Sequence, residues 1–120
     1  MKAEFEKRIY EYAKSIVILS DLMSDKGSSR VIANQLVRSG TSVSANVIEA
    51  KSASSKKDYI NFYNHALKSA NETLFWLRLT QDTGKGHKEE FAKMVEETTQ
   101  IAKILAASII TMRKNLRKEI

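Results

Sequence analysis

Two histidines, His65 and His87, are the first residues to test for chemistry, because the chain has no cysteine. Disulfides, thiolate metal sites and cysteine nucleophiles are therefore excluded. Carboxylate-bridged metal bundles place a Glu-x-x-His pair on each of two helices. Position 62 is Phe and position 84 is Gly, so neither histidine has an acid three residues ahead, and no metal site is expected. His87 follows Gly84-Lys85-Gly86 and reads as an exposed turn residue. His65 shares a helix face with Asp58 and Glu72 and reads as part of a surface or interfacial stripe. RNA-cleaving bundles of the toxin type carry an Arg, four to six residues, then His. Here Tyr59 and Ile60 occupy the positions six and five before His65, and Arg78 is too far ahead of His87. No serine stands in a convincing frame with a histidine and an acid. No catalytic residue and no cofactor is expected.

The polar residues with the most informative spacing are Asn46 and Glu49. Asn46 lies beside an apolar seam, near Ser39 and Ser42, and a buried Asn in a bundle fixes register or partner at some cost in stability. Glu49 could pair with Lys68 or accept from Asn64 or Asn71. A structural network of Asn46, Glu49 and Glu72 is favoured over a catalytic acid. The stretch that holds them is unusual: Ser39, Gly40, Thr41, Ser42 and Ser44 crowd it, while Val43, Val47 and Ile48 keep a helical rhythm. Such a helix either packs very close to a neighbour or buries a specific polar network. Gly40, isolated within a helix, speaks for close packing rather than phosphate cradling.

Four helices must position these residues, at about 2–26, 28–52, 56–83 and 88–117. The chain has 120 residues, no Pro and only four Gly, so little interrupts a helix. Helix one has Phe5, Ile9, Tyr12, Ile16, Leu19 and Met23 on one face. Gly27 is expected to end it, and Ser28 or Ser29 to cap helix two, whose seam is Ile32, Leu36, Val43 and Ala50. Ser55 and Asp58 form a capping box for helix three. That helix carries two stripes: Ile60, Tyr63, Leu67, Ala70, Leu74 and Leu77, then Tyr59, Phe62, Ala66, Thr73 and Trp76, about 100° away. Helix four turns Phe91, Met94, Thr98, Ile101, Leu105, Ser108 and Met112 inward. Joins this short force antiparallel neighbours, so the fold class is all-α, an up-down-up-down four-helix bundle in a single domain. The second stripe, with Phe62 and Trp76, is expected to be an interface between copies, with Val17, Ile109 and Ile110 also off their seams. The alternative is one bundle closing around a thin helix two.

The net charge is +6. Antiparallel packing sends most of it to one end. Lys2, Lys7, Arg8, Lys51, Lys56, Lys57, Arg113, Lys114, Arg117 and Lys118 gather there against Glu4, Glu6, Glu49, Asp58 and Glu119, a net +5, whereas the opposite end is neutral. Cations at a helix C-terminus complement the macrodipole, which accounts for Arg113 to Lys118. It does not account for Lys56 and Lys57 in a first turn, nor for Lys2, Lys7 and Arg8. Dispersed Lys and Arg suit a phosphate backbone, RNA or DNA, with little sequence preference. An acidic protein surface is the other candidate partner. The N-terminus has charges where a signal peptide needs an apolar run, and no apolar stretch reaches membrane-spanning length, so a cytoplasmic location is expected.

Ser42-Val43-Ser44-Ala45-Asn46-Val47-Ile48-Glu49-Ala50, Ser54-Ser55-Lys56-Lys57-Asp58-Tyr59 and Asn71-Glu72-Thr73-Leu74-Phe75-Trp76-Leu77-Arg78-Leu79 together resemble a known signature. Its ordered elements are Ala-Asn-x-x-Glu-Ala and Glu-Thr-x-x-Trp-Leu. The chain resembles the bacterial four helix bundle family, named for proteins encoded in intervening sequences of the large-subunit ribosomal RNA gene. That family includes the accessory variability protein of diversity-generating retroelements. The resemblance implies a non-enzymatic bundle assembling as a homopentamer. For the retroelement members it implies binding to nucleic acid and to a reverse transcriptase. Asn46, Glu49, Glu72 and Trp76 match the signature positions, with structural roles implied.

Overall fold

Every residue from Lys2 to Glu119 is described in the computed structural model, and these residues form four α-helices: α1 (Lys2–Asp21), α2 (Gly27–Glu49), α3 (Lys56–Asp82) and α4 (Lys88–Glu119). A single 3-10 turn over Ala50–Ser52 extends α2. The helices run up-down-up-down in a rod of 53 × 23 × 21 Å, as an all-α bundle. The most extensive packing is between α2 and α3, α3 and α4, and α1 and α2, whereas α1 and α4 meet over a much shorter length.

Helix ends follow their local chemistry. The Ser55 hydroxyl accepts from the Asp58 amide at 3.0 Å, and the Asp58 carboxylate accepts in turn from the Ser54 amide at 3.0 Å. The expected capping box is therefore present, displaced by one residue on its return bond. Ser55→Ala should lower unfolding stability by about 1 kcal/mol, read from the urea midpoint at unchanged m-value. At the other end of α3, Gly84 is left-handed (φ +67°), its amide bonds the Gln81 carbonyl, and the Lys85 amide reaches the Thr80 carbonyl. This is a Schellman closure, which a glycine accommodates without a Cβ penalty.

The first join departs from expectation. α1 closes at Asp21, not near Lys26, because the Leu22 and Met23 amides turn back onto Leu19 and Ser20 and fold Met23 into the core. Gly27 does adopt φ +59°, but it opens α2 instead of ending α1, and the cap position falls to Lys26, which supplies no side-chain bond. Ser28 and Ser29 lie inside the helix.

The core follows the expected faces of α1 and α2 and shifts on the others. In α3 it runs between the two stripes, burying Ile60, Tyr63, Ala66, Ala70, Thr73, Leu77 and Thr80, while Leu67 and Leu74 are only half-buried. A helix packed on both flanks, by α2 and by α4, needs that wider apolar arc. In α4 it is Ile109, 3% exposed, that turns inward, with Ser108 at the edge of the core.

The small residues of α2 serve both purposes open to them. Toward α1, Gly40 faces Ile16 with no side chain between them, and Ser44 donates to the Ile9 carbonyl at 2.7 Å. Toward α3, Thr73 donates to Ser39 at 3.0 Å, and Ser42 and Ser69 are joined at 2.9 Å. Among the described residues no buried side-chain nitrogen or oxygen lacks a partner.

Tyr12 closes the α1–α4 side, with its hydroxyl 2.6 Å from Thr98. Burial pushes this phenol far above its ordinary value, an effect the Thr98 hydrogen bond only partly offsets. The unfolded phenol loses its proton near pH 10, whereas the folded one keeps it. Stability is therefore complete below that pH and declines as the pH rises beyond it. Tyr12→Phe should flatten the decline, checked by chemical denaturation just below and about one unit above pH 10.

Candidate nucleic-acid interface

The antiparallel order sets the start of α1, the α2–α3 join, the start of α3 and the end of α4 at one end of the rod. Contacts between these elements confirm the meeting: Lys51 pairs with Glu6 at 2.8 Å, Lys56 pairs with Glu119, and the Lys2 ammonium lies 5.5 Å from the Tyr59 ring centroid. The basic residues then divide into two groups.

Three are already engaged. Arg8 grips Glu97 through two bonds of 2.9 and 2.6 Å and adds Gln100 at 2.8 Å, linking α1 to α4. The hydrogen bond to Glu97 raises the Arg8 guanidinium further above its ordinary value. Lys51 is raised in the same way by Glu6. With Lys56 held by Glu119, these three cations have acidic partners.

The other seven differ. Lys2, Lys7, Lys57, Arg113, Lys114, Arg117 and Lys118 are exposed and stand in no ion pair among the described residues. Arg113 makes only a long bond, 3.4 Å, to Asn64. Four of the seven lie on the last two turns of α4. What sequence reasoning missed was the pairing of Arg8: Glu97 is 89 residues away, and no local pattern links them.

Asn46, Glu49 and Glu72 are not hydrogen-bonded to one another, although Asn46 and Glu72 line the same polar hollow. Asn46 is half-buried and donates to the Ser42 carbonyl and hydroxyl of its own helix. Glu49 is exposed and takes part in none of these bonds. Glu72 accepts from the Trp76 indole at 2.9 Å and from Arg38 of α2, bracing the α2–α3 seam. Trp76 is half-buried there, edge-on to Phe75, and Phe62 is half-buried on the same helix. His65 is exposed at an open polar hollow with Asn46, Lys68, Ser69 and Glu72, and His87 is exposed in its turn.

Among the described residues no group of three or more His, Asp or Glu is placed to hold a metal ion, and no helix is long and apolar enough to cross a membrane.

No curated protein matches the chain. A crystal structure at 1.70 Å, of a protein of unknown function from the S23 ribosomal protein family of Bacteroides thetaiotaomicron VPI-5482, is similar: 38% identical, with a TM-score of 0.81, over 87% of this chain and 96% of that one. The family model described as 23S rRNA-intervening sequence protein matches residues 1–107, so the match ends within α4, ahead of Arg113 to Lys118. With that model spanning most of the sequence and a like-folded relative over nearly all of the bundle, the chain belongs to the 23S rRNA-intervening sequence protein family.

Proposed function

We propose that this protein is a non-enzymatic, homo-oligomeric helical-bundle adaptor of the cytoplasm, pentameric as its family resemblance suggests, that holds RNA or DNA on its basic pole. One observation carries the reading: seven exposed cations with no acidic partner among the described residues share one end of the rod. Surface side chains of this kind neutralise phosphates without ordering cost to a buried site, and they release counterions as they do so. Self-association draws support from the apolar side chains left exposed, Tyr10, Ile18, Val31, Phe75 and Ile110 among them, and from half-buried Phe62 and Trp76. A protein partner such as a reverse transcriptase is a further component of the adaptor role, carried by the resemblance alone.

The test is the anisotropy of a labelled RNA titrated with purified protein from low to physiological salt, with the mass of the free protein measured by sedimentation. Binding that persists at physiological salt and falls log-linearly above it supports the adaptor. A stable oligomer that ignores RNA at every salt concentration leaves a protein–protein scaffold. Shortened RNA after long incubation would instead indicate a ribonuclease.

A further inference from the structure

We infer that the basic pole takes nucleic acid in single-stranded form, with an unpaired base laid against Tyr59 in the open trough between α3, α4 and the start of α1. The inference rests on the proposed nucleic-acid role and names the form of strand it requires.

The trough exists because α1 leaves α4 early. Beyond the Arg8–Glu97 clasp, Phe5, Tyr63, Ile104 and Ser108 line a hollow of about 460 Å³, with Lys2 and Glu4 at its rim. A second hollow of about 400 Å³ continues from Tyr63 and Ser108 to Tyr59 and Met112. Tyr59 also lines a third, of about 210 Å³, between Lys56 and the last turn of α4. The first two fall within the size range of small-ligand sites, and all three connect through shared residues.

Tyr59 is the aromatic shared by the second and third hollows, and Tyr63 links it to the first. Its ring stacks on Tyr63, centroids 5.1 Å apart and planes 24° from parallel. Tyr63 is buried and has Tyr59 beside it, and both effects push its phenol up, so it remains a neutral stacking partner. The Lys2 ammonium also lies over the Tyr59 ring, 5.5 Å from its centroid. Lys2 is exposed on a flexible stem and makes no ion pair among the described residues, so it can leave the ring for a phosphate as a base takes its place. A cation over an aromatic face is held only weakly at an exposed site, more weakly than a base stacked on an aromatic ring. The exchange therefore favours the base.

Charge fits the same occupant. Lys2, Lys57, Arg113 and Lys114 stand exposed at this end of the rod, while Glu119, which is exposed and lines the third hollow, is paired with Lys56, and Glu97 is paired with Arg8. Glu4 is exposed at the rim of the first hollow. A duplex presents its phosphates but keeps its bases stacked, leaving the trough empty; a single strand can fill both.

The experiment uses anisotropy with the full chain and two labelled probes of equal length, oligodeoxythymidine and an abasic deoxyribose oligomer. Both present the same phosphates and only one presents bases. The wild type should bind oligodeoxythymidine about tenfold more tightly. Tyr59→Leu, which keeps an apolar side chain but no π face, should bring the two to equality, and Tyr59→Phe should preserve the preference. Circular dichroism melts identify any variant that has lost its fold, in which case the wild-type comparison alone decides. Equal, salt-sensitive binding of both probes by the wild type would overturn the stacking site and leave the basic pole standing. An undiminished base preference in folded Tyr59→Leu would overturn it as well. No binding of either probe at any salt concentration would overturn the pole, and this inference with it.

Discussion

Replacing Arg113, Lys114, Arg117 and Lys118 together by Gln lowers RNA affinity about a hundredfold at physiological salt and flattens its salt dependence. The estimate follows from counterion release: each phosphate contact on a single strand contributes roughly 0.7 to the slope of log K against log salt, so four contacts contribute about 3. These four are chosen because they are exposed, carry no ion pair among the described residues and cluster on the last turns of α4. The bundle should survive their loss. None contributes to the core, and a cation near a helix C-terminus is worth about 0.3–1 kcal/mol at low ionic strength. Two comparisons make the result specific to the pole. Lys85 and Lys88, at the opposite end, should be replaceable with little effect on affinity. Arg8 should also be a poor choice for weakening binding, because its guanidinium is occupied by Glu97 and Gln100. A quadruple variant that binds RNA unchanged would remove the pole from the function and return Arg113 to Lys118 to helix-end chemistry.

Which parts of this picture were legible beforehand follows from the range of the interactions. Amphipathic periodicity is local, so the apolar faces of α1 and α2 and the antiparallel order could be read directly, and with them the gathering of charge at one end. Helix termini depend on which backbone groups fold back, and the early closure at Asp21 turns on Leu22 and Met23 bonding Leu19 and Ser20. Nothing in residue type alone predicts that. On α3 the apolar arc was wide enough to suggest two separate stripes, yet Ala66 and Thr73 of one stripe share the core with Ala70 and Leu77 of the other. The helix is flanked on both sides, and its central line takes small residues where the neighbours come close. The partner of Arg8 lies 89 residues away and was invisible to pattern reading, as was the split between engaged and free cations that sharpens the site. The Tyr59–Tyr63 pair was hidden for another reason. The two residues are four apart on a helix and read as separate seam positions, so their stacking appears only with their rotamers.

Gly40 carries a large packing consequence between α1 and α2. A Cβ placed there would lie 2.7 Å from Ile16 Cγ2 and 2.9 Å from Cγ1, closer than van der Waals contact allows. Ile16 is fully buried and β-branched, so it has little freedom to rotate away. Nor can α1 simply retreat, because the Ser44 hydroxyl, four residues on from Gly40, is bonded to the Ile9 carbonyl at 2.7 Å. Two effects oppose each other in Gly40→Ala. Helix propensity favours Ala by about 1 kcal/mol; overpacking costs about 1–3 kcal/mol, and a stretched Ser44 bond adds to the cost. The clash should win by about 1–2 kcal/mol, lowering Tm by several degrees when both proteins are melted at equal concentration. A double-mutant cycle isolates the cause. Ile16→Ala alone should cost about 2–5 kcal/mol, but it clears all three atoms nearest the new methyl. In that background Gly40→Ala should reverse sign and stabilise, because only the propensity gain remains. The reversal is the decisive reading, since a glycine kept merely for backbone freedom would respond to Ala identically whether or not Ile16 is present. Stabilisation by Gly40→Ala in the wild-type background would show that α1 and α2 can separate at no cost. The serine-rich face of α2 would then be explained by its bonds to α3 alone.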